Sequence, residues 1–179
     1  MKIAWVGLGL GLALALQTTL ATGIGAPVDL VLVVVVAVAV AGGPLEGVWV
    51  GTVGGLLQDA LSGGVIGVGG LTKTLVGYVV GRVGGQFMIT RPWHYMLVFF
   101  FASLVHSGCF VGVYGLLSDE GTMTSYGAVL AQATANAAIG VAVTVAIRMG
   151  PGAFERRVWR RGGLSRRFGG GFSRHRVVR

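Results

Sequence analysis

Apolar residues dominate the chain in six long runs, and the short connections between them contain Pro27, Pro44 and Pro92. Half of the 20 charged residues lie after the last run. The runs cover about residues 3–21, 29–43, 46–62, 66–86, 93–117 and 123–148. A helix of about 20 apolar residues crosses the hydrocarbon core of a membrane. The second run is rich in Val, but a lone strand would leave its backbone unsatisfied in lipid, so a helix is favoured there too. The pattern predicts an all-α integral membrane protein with six transmembrane helices.

The first run could also be a secretory signal, because Lys2 gives it a charged end. It is long, however, its cleavage signal is weak, and five further runs follow it. We therefore expect an uncleaved first helix.

Composition supports a membrane protein and excludes a water-soluble domain. Of the 179 residues, 54% are hydrophobic and 11% are charged, and the mean hydropathy is +0.79. Soluble domains carry about a quarter charged residues. We expect one transmembrane domain at residues 1–148 and a basic, flexible tail at residues 149–179.

The charges in the connections predict the orientation. With six spans, the side of both termini carries Lys2, Arg82, Arg91, Arg148 and the arginines of the tail. The opposite side carries only acids, namely Asp29, Asp119 and Glu120. Lys and Arg are concentrated on the cytoplasmic side of membrane proteins, which predicts two cytoplasmic termini.

Glycine recurs every four residues in the third and fourth runs. The first set is Gly47, Gly51, Gly55, Asp59 and Gly63, and the second is Gly69, Lys73, Gly77, Gly81 and Gly85. A step of four residues turns a helix by about 400°, so each set forms a stripe along one side. Small residues allow two helix backbones to approach closely in lipid. The spacing predicts that the two helices pack along these stripes.

Each stripe contains one charged residue, Asp59 in the first and Lys73 in the second. A lone charge in a span costs several kcal/mol, so such residues usually find a partner inside the protein. Both lie about one or two turns from the connection near Gly63. We expect Asp59 to pair with Lys73. The alternative is that each reaches the outer interface separately, with Lys73 snorkelling, and a proton or ion relay is a less favoured alternative.

Residues 45–83, "LEGVWVGTVGGLLQDALSGGVIGVGGLTKTLVGYVVGRV", resemble the MreD family of the bacterial rod-shape machinery. The similarity lies in Gly55-Leu56 with Asp59, in Ser62-Gly63 with Gly67, and in Leu71 with Gly77-Tyr78. The resemblance implies a non-enzymatic scaffold of the inner membrane that binds MreC. It also implies indirect links to the RodA glycosyltransferase, its penicillin-binding transpeptidase and MreB filaments. The implied fold is similar to the substrate-binding components of energy-coupling-factor vitamin transporters.

Polar residues of the sixth run leave a second function open. Gln132, Asn136 and Gly140 share one side with Thr144 next in line. Amides in lipid tend to hydrogen-bond between helices, so packing is the favoured interpretation. Together with Gln17, they could instead line a pocket, as a substrate-binding component of a small-molecule transporter requires.

Few residues point to catalysis or a cofactor. His106 and Cys109 could share a helix face, but two ligands make a poor metal site. No phosphate-binding loop and no nucleophile with a suitable base are found in the sequence. We predict neither an enzyme nor a cofactor-binding protein.

The tail mixes arginines with Trp159, Phe168 and Phe172. Basic clusters next to a span attract anionic lipid. The residues expected to contact lipid are Arg156, Arg157, Arg160, Arg161, Arg166 and Arg167. Arg-Gly-Phe spacing also resembles RNA-binding segments, but proximity to a bilayer favours lipid over nucleic acid.

Overall fold

The chain forms helices throughout the part that the structure describes. The computed structural model describes residues 2–23, 28–63, 65–86, 92–117 and 125–149. Six helices follow one another: α1 (Lys2–Gly23), α2 (Leu30–Gly42), α3 (Pro44–Ser62), α4 (Val68–Gln86), α5 (Pro92–Leu117) and α6 (Tyr126–Met149). These ranges contain no strand, so the prediction of an all-α protein is confirmed for them.

Three of the described helices are long and apolar enough to cross a membrane. The candidate spans are Ile3–Leu20, Trp93–Leu117 and Tyr126–Ile147. The helix at Leu30–Gly42 is apolar but shorter. The helices α3 and α4 carry the glycine stripes and the charged residues Asp59 and Lys73, which lower their hydropathy. The six spans of the hydropathy pattern therefore correspond to six helices, of which three qualify by length and composition.

Local sequence accounts for where the central helices begin and end. Asp29 caps α2, because its Oδ1 accepts a 2.9 Å hydrogen bond from the Leu32 N–H. The chain then turns at Gly43, which has a φ of 101°. Pro44 occupies the first turn of α3, where its missing N–H has no cost. Gly63 ends α3 in the left-handed conformation, with a φ of 67°.

The short helix α2 lies at the centre of the apolar core. Val31 and Val35 are fully buried and pack with Leu10, Ala13 and Leu14 of α1. The other core cluster joins α2 with α4, α5 and α6, and it contains Leu32, Val36, Val76, Phe99 and Ala137. Neighbouring helices enclose α2, and apolar residues therefore occur on all of its sides.

The chain divides into two compact units, Met1–Thr144 and Val145–Arg179. The first contains α1 to α5 and most of α6. In the second, only the last turn of α6 lies within the described residues. The predicted division at residue 148 stays a prediction.

Candidate functional site

The helices α3 and α4 meet backbone to backbone at their glycines, a contact that we call the glycine seam. A Cβ atom on Gly51 would lie 2.5 Å from the carbonyl oxygen of Lys73, and one on Gly55 would lie 2.5 Å from the Gly70 Cα. Gly47 and Gly77 face each other in the same way. Gly81 extends the seam to Pro44, whose Cα would lie 2.5 Å from a Cβ atom on Gly81. No side chain fits at these positions without moving a backbone.

The ends of the two stripes lie outside the seam. A Cβ on Gly63 or Gly85 would meet nothing within 4 Å. Gly63 serves the turn at the end of α3 instead. The seam also contains a bond between the hydroxyls of Thr52 and Thr74, 2.7 Å apart, which the glycine spacing did not reveal.

The predicted pairing of Asp59 with Lys73 is wrong. The Asp59 Oδ2 accepts hydrogen bonds from three backbone N–H groups, those of Gly67 at 2.8 Å, Gly69 at 3.0 Å and Gly70 at 3.2 Å. The first N–H groups of a helix lack partners within it, and the helix dipole favours a negative charge there. Asp59 lies one turn before the end of α3, so it reaches the start of α4 across the short connection. Its role is to cap α4.

Lys73 pairs instead with Asp29, the residue that caps α2. The Lys73 Nζ lies 2.7 Å from the Asp29 Oδ2, and the two side chains are only 3% and 5% exposed. The backbone of Lys73 lies in the glycine seam against Gly51. Its side chain leaves the seam and reaches the start of α2. A residue's place in a stripe thus determined where its backbone packs, but not the partner of its long side chain.

His106 of α5 joins this ion pair. Its Nε2 lies 3.4 Å from the Asp29 Oδ2 and 3.5 Å from the Lys73 Nζ. Its Nδ1 is buried and has no hydrogen-bond partner among the described residues. The ring therefore has unused hydrogen-bonding capacity next to a buried pair of charges.

Asn136 connects the same site to α6. Its Oδ1 accepts a 2.9 Å hydrogen bond from the Asp29 N–H, and its Nδ2 donates a 2.9 Å bond to the Ser103 Oγ. We call Asp29, Lys73, Ser103, His106 and Asn136 the polar cluster. It draws its residues from α4, α5, α6 and the start of α2, and all five are buried.

Gln17 connects α1 to the start of α2, next to the polar cluster, by two hydrogen bonds. Its Nε2 donates to the Val28 carbonyl at 2.6 Å, and its Oε1 accepts from the Leu30 N–H at 2.7 Å. Gln17 and Asn136, for which packing and a pocket were both open from the sequence, thus both bind within the protein. Among the described residues, no three His, Cys, Asp or Glu side chains are placed to bind a metal.

The polar cluster was not predicted from the sequence, although signals for it were present. Asp29 precedes a Val-rich helix as an N-cap does, and Lys73, His106 and Asn136 interrupt apolar helices. Polar groups in such helices need partners inside the protein. The assignment of partners required the arrangement of helices that are distant in sequence.

The arginines expected to bind lipid, Arg156, Arg157, Arg160, Arg161, Arg166 and Arg167, lie outside the described residues. Their contact with lipid stays a prediction.

Comparison with known proteins identifies the family. The family model of the rod shape-determining protein MreD matches residues 3–145. No curated protein and no solved structure matches the chain. Because the family match extends from α1 into α6 and covers the glycine seam and the polar cluster, the chain belongs to the MreD family of rod shape-determining membrane proteins.

Proposed function

We propose that this protein is a non-catalytic scaffold of the elongasome in the bacterial inner membrane, where it binds MreC. Family membership gives the rod-shape role. The observation that supports the scaffold role is that most polar groups of the polar cluster bind other groups of this protein. Asp29, Lys73 and Asn136 bind one another or neighbouring helices. Their polar groups are therefore used to hold helices together.

The outer surface of the bundle is suited to partners within the membrane. Large apolar side chains point outward from several helices, among them Trp5, Trp49, Leu71, Phe101 and Leu130. Trp49 is 65% exposed and Leu71 is 60% exposed, although both lie on helices with buried charges. Such faces fit lipid and the apolar face of a partner within the membrane, the role proposed here for MreC. RodA, the penicillin-binding transpeptidase and MreB are then reached indirectly.

All six helices cross the membrane in this proposal. The charges that lower the hydropathy of α3 and α4 are buried, since Asp59 is 9% exposed and Lys73 is 2% exposed. The residues that these two helices direct outward are mostly apolar, including Leu45, Leu61 and Leu75. An even number of spans leaves both termini on the cytoplasmic side, where the basic residues are concentrated.

Substrate capture, the alternative function, has less support. A small-molecule site in the bundle would need polar groups that are free to bind a ligand. Both amide atoms of Gln17 and both of Asn136 bind protein groups instead, which leaves the Nδ1 of His106 as the unpartnered polar atom described for the polar cluster. A fold similar to the vitamin-binding components of energy-coupling-factor transporters is compatible with either function.

Co-purification tests the scaffold proposal. The full chain carrying an affinity tag would be co-expressed with MreC and isolated in mild detergent. The proposal predicts that MreC is retained, whereas a single-span membrane protein of similar abundance is not. Loss of MreC at every detergent tested, together with a small molecule bound in stoichiometric amount, would favour the transporter function instead.

A further inference from the structure

We propose that the turn between α3 and α4 binds lipid, and that Val65 and Ile66 insert there among the acyl chains of the outer leaflet. We call these two residues the apolar tip. The proposal rests on the six-span arrangement given under the proposed function, in which this turn lies on the side opposite to the termini. It is independent of the binding of MreC.

Two exposed tryptophans mark the cytoplasmic edge of the hydrocarbon on α1 and α3. Leu10 of α1 packs against Gly54 of α3, and the two helices run in the same direction in a six-span bundle. Trp5 and Trp49 each lie five residues before this contact, and therefore at about the same height. They are 71% and 65% exposed, and Glu46, one turn before Trp49, is exposed as well. Tryptophan is enriched at the interface between membrane and water, which places this height at the edge of the hydrocarbon.

Measured from this height, α3 is too short for a bilayer of ordinary thickness. From Trp5 to Gly23, α1 rises about 27 Å, close to the hydrocarbon thickness of about 30 Å. From Trp49 to Ser62, α3 rises only about 20 Å. A short hydrophobic segment is accommodated by a thinner bilayer around it. The helices α3 and α4 thus cross a locally thinner membrane, in which the apolar tip stays in contact with acyl chains.

The backbone at the start of α4 has hydrogen-bond partners within the protein. The Asp59 carboxylate accepts from three N–H groups, as described above. The Val68 N–H donates to the Val65 carbonyl at 3.4 Å, and the Leu71 N–H donates to the Gly67 carbonyl at 2.8 Å. The first four N–H groups of α4 therefore all have protein acceptors. Backbone groups in hydrocarbon need such partners, because no water is present to replace them.

The side chains of the turn are apolar and exposed. Ile66 is 70% exposed and Val65 is 43% exposed, and Leu61 in the last turn of α3 is 60% exposed. No charged residue occurs between Asp59 and Lys73. Turns that face water usually contain polar residues besides glycine, and an exposed apolar patch indicates an interaction surface. Acyl chains are the partner that fits, because the length of α3 places the apolar tip among them.

Fluorescence quenching tests the apolar tip in the full chain, reconstituted in a bilayer without other proteins. Cys109→Ser would remove the native thiol, and a fluorophore would be attached to a single new cysteine. The three label positions are Ile66→Cys, Leu75→Cys and Ser125→Cys. Leu75 is exposed within α4, and Ser125 is exposed next to the start of α6. Iodide quenches from the water, whereas brominated acyl chains quench from the lipid.

We expect the label at Ile66 to resemble the label at Leu75, with quenching by brominated chains several-fold stronger than quenching by iodide. The label at Ser125 should show the reverse. Iodide quenching at Ile66 as strong as at Ser125 would overturn the apolar tip, and protection of Leu75 would then leave the six-span arrangement standing. Strong iodide quenching at Leu75 as well would contradict both.

A charge at the apolar tip gives a second readout. Ile66→Asp places a carboxylate among acyl chains, where a charge is unfavourable. The recovery of folded protein in bilayers, relative to detergent, should therefore fall several-fold. Ser125→Asp is the matched control and should be recovered like the unmodified chain. Equal recovery of the two Asp variants would overturn the proposal, and Val65→Cys repeats the quenching test if the Ile66 variants fail to fold.

Discussion

Asp29 shows how one residue can organise several helices. Its Oδ1 caps α2, its Oδ2 binds Lys73, and its N–H donates to Asn136. The capping role could be predicted from an acid placed before an apolar run. The choice of Asp29 over Asp59 as the partner of Lys73 could not. Asp59 has three N–H donors within reach at the start of α4, and that fact depends on the turn geometry near Gly67.

A pair of double-mutant cycles tests this choice of partner. Lys73→Met alone should destabilise the protein by about 3–5 kcal/mol, because Asp29 is left buried and unpaired. In a protein that already carries Asp29→Asn, the loss of unfolding free energy caused by Lys73→Met should be smaller by at least about 1 kcal/mol. When Lys73→Met is combined with Asp59→Asn, the losses of unfolding free energy of the two single variants should add. The measurement is the free energy of unfolding of the full chain in mixed micelles. Coupling to Asp59 rather than to Asp29 would contradict the assignment.

The cap on α4 gives a second residue-scale prediction. Asp59→Ala should lower the free energy of unfolding by about 1–2 kcal/mol, because backbone N–H groups at the start of α4 lose their acceptor. Asp59→Asn is the matched control, since it keeps one acceptor oxygen and should cost less. Thermal unfolding of the two variants compares them. Equal losses would indicate that the negative charge, rather than hydrogen bonding, stabilises this helix end.

At the scale of helices, the four-residue recurrence of glycine indicated which sides of α3 and α4 would lack side chains and could pack closely. It did not indicate where the contact would stop. Gly63 has the spacing of the stripe, but α3 ends there, so its backbone follows the turn. The link between Thr52 and Thr74 was also hidden, because Thr occurs in many helices without bonding a neighbour. Spacing predicts a face, whereas contacts depend on helix length and crossing.

Substitution in the seam and outside it should have opposite effects. Gly51→Ala should destabilise the protein by about 1–3 kcal/mol, since a new methyl overpacks the contact with the Lys73 backbone. Gly108 of α5 has nothing within 4 Å of an added Cβ. Gly108→Ala should therefore be neutral or stabilising by up to about 1 kcal/mol. Unfolding in mixed micelles measures both. A Gly51→Ala variant as stable as Gly108→Ala would show that the close approach is unnecessary.

At the scale of the whole molecule, hydropathy predicted the number of helices in the described part of the chain better than it predicted which of them qualify as spans. The helix α2 has only 13 residues, and α3 and α4 carry glycines and charges on their buried sides. A linear average over the sequence cannot separate an inward polar face from an outward apolar one. The orientation proposed for the bundle depends on the basic residues, most of which belong to the tail.

The tail should bind membranes through charge. Vesicles containing anionic lipid should retain the segment 149–179, and retention should fall as salt increases, because exposed charges are screened. A variant with Gln at Arg156, Arg157, Arg160, Arg161, Arg166 and Arg167 is the control and should bind weakly. Flotation with anionic and neutral vesicles makes the comparison. Equal binding to both kinds of vesicle would contradict an electrostatic role.

The most direct test of the scaffold role is photo-crosslinking in cells that produce MreC. A photoreactive amino acid would replace Trp49, Phe101 or Leu130 on the outer surface, and Val35 in the core serves as the control. We predict that at least one outer position crosslinks to MreC and that the core position does not. Absence of MreC crosslinks from outer positions sampled on every helix would contradict the account.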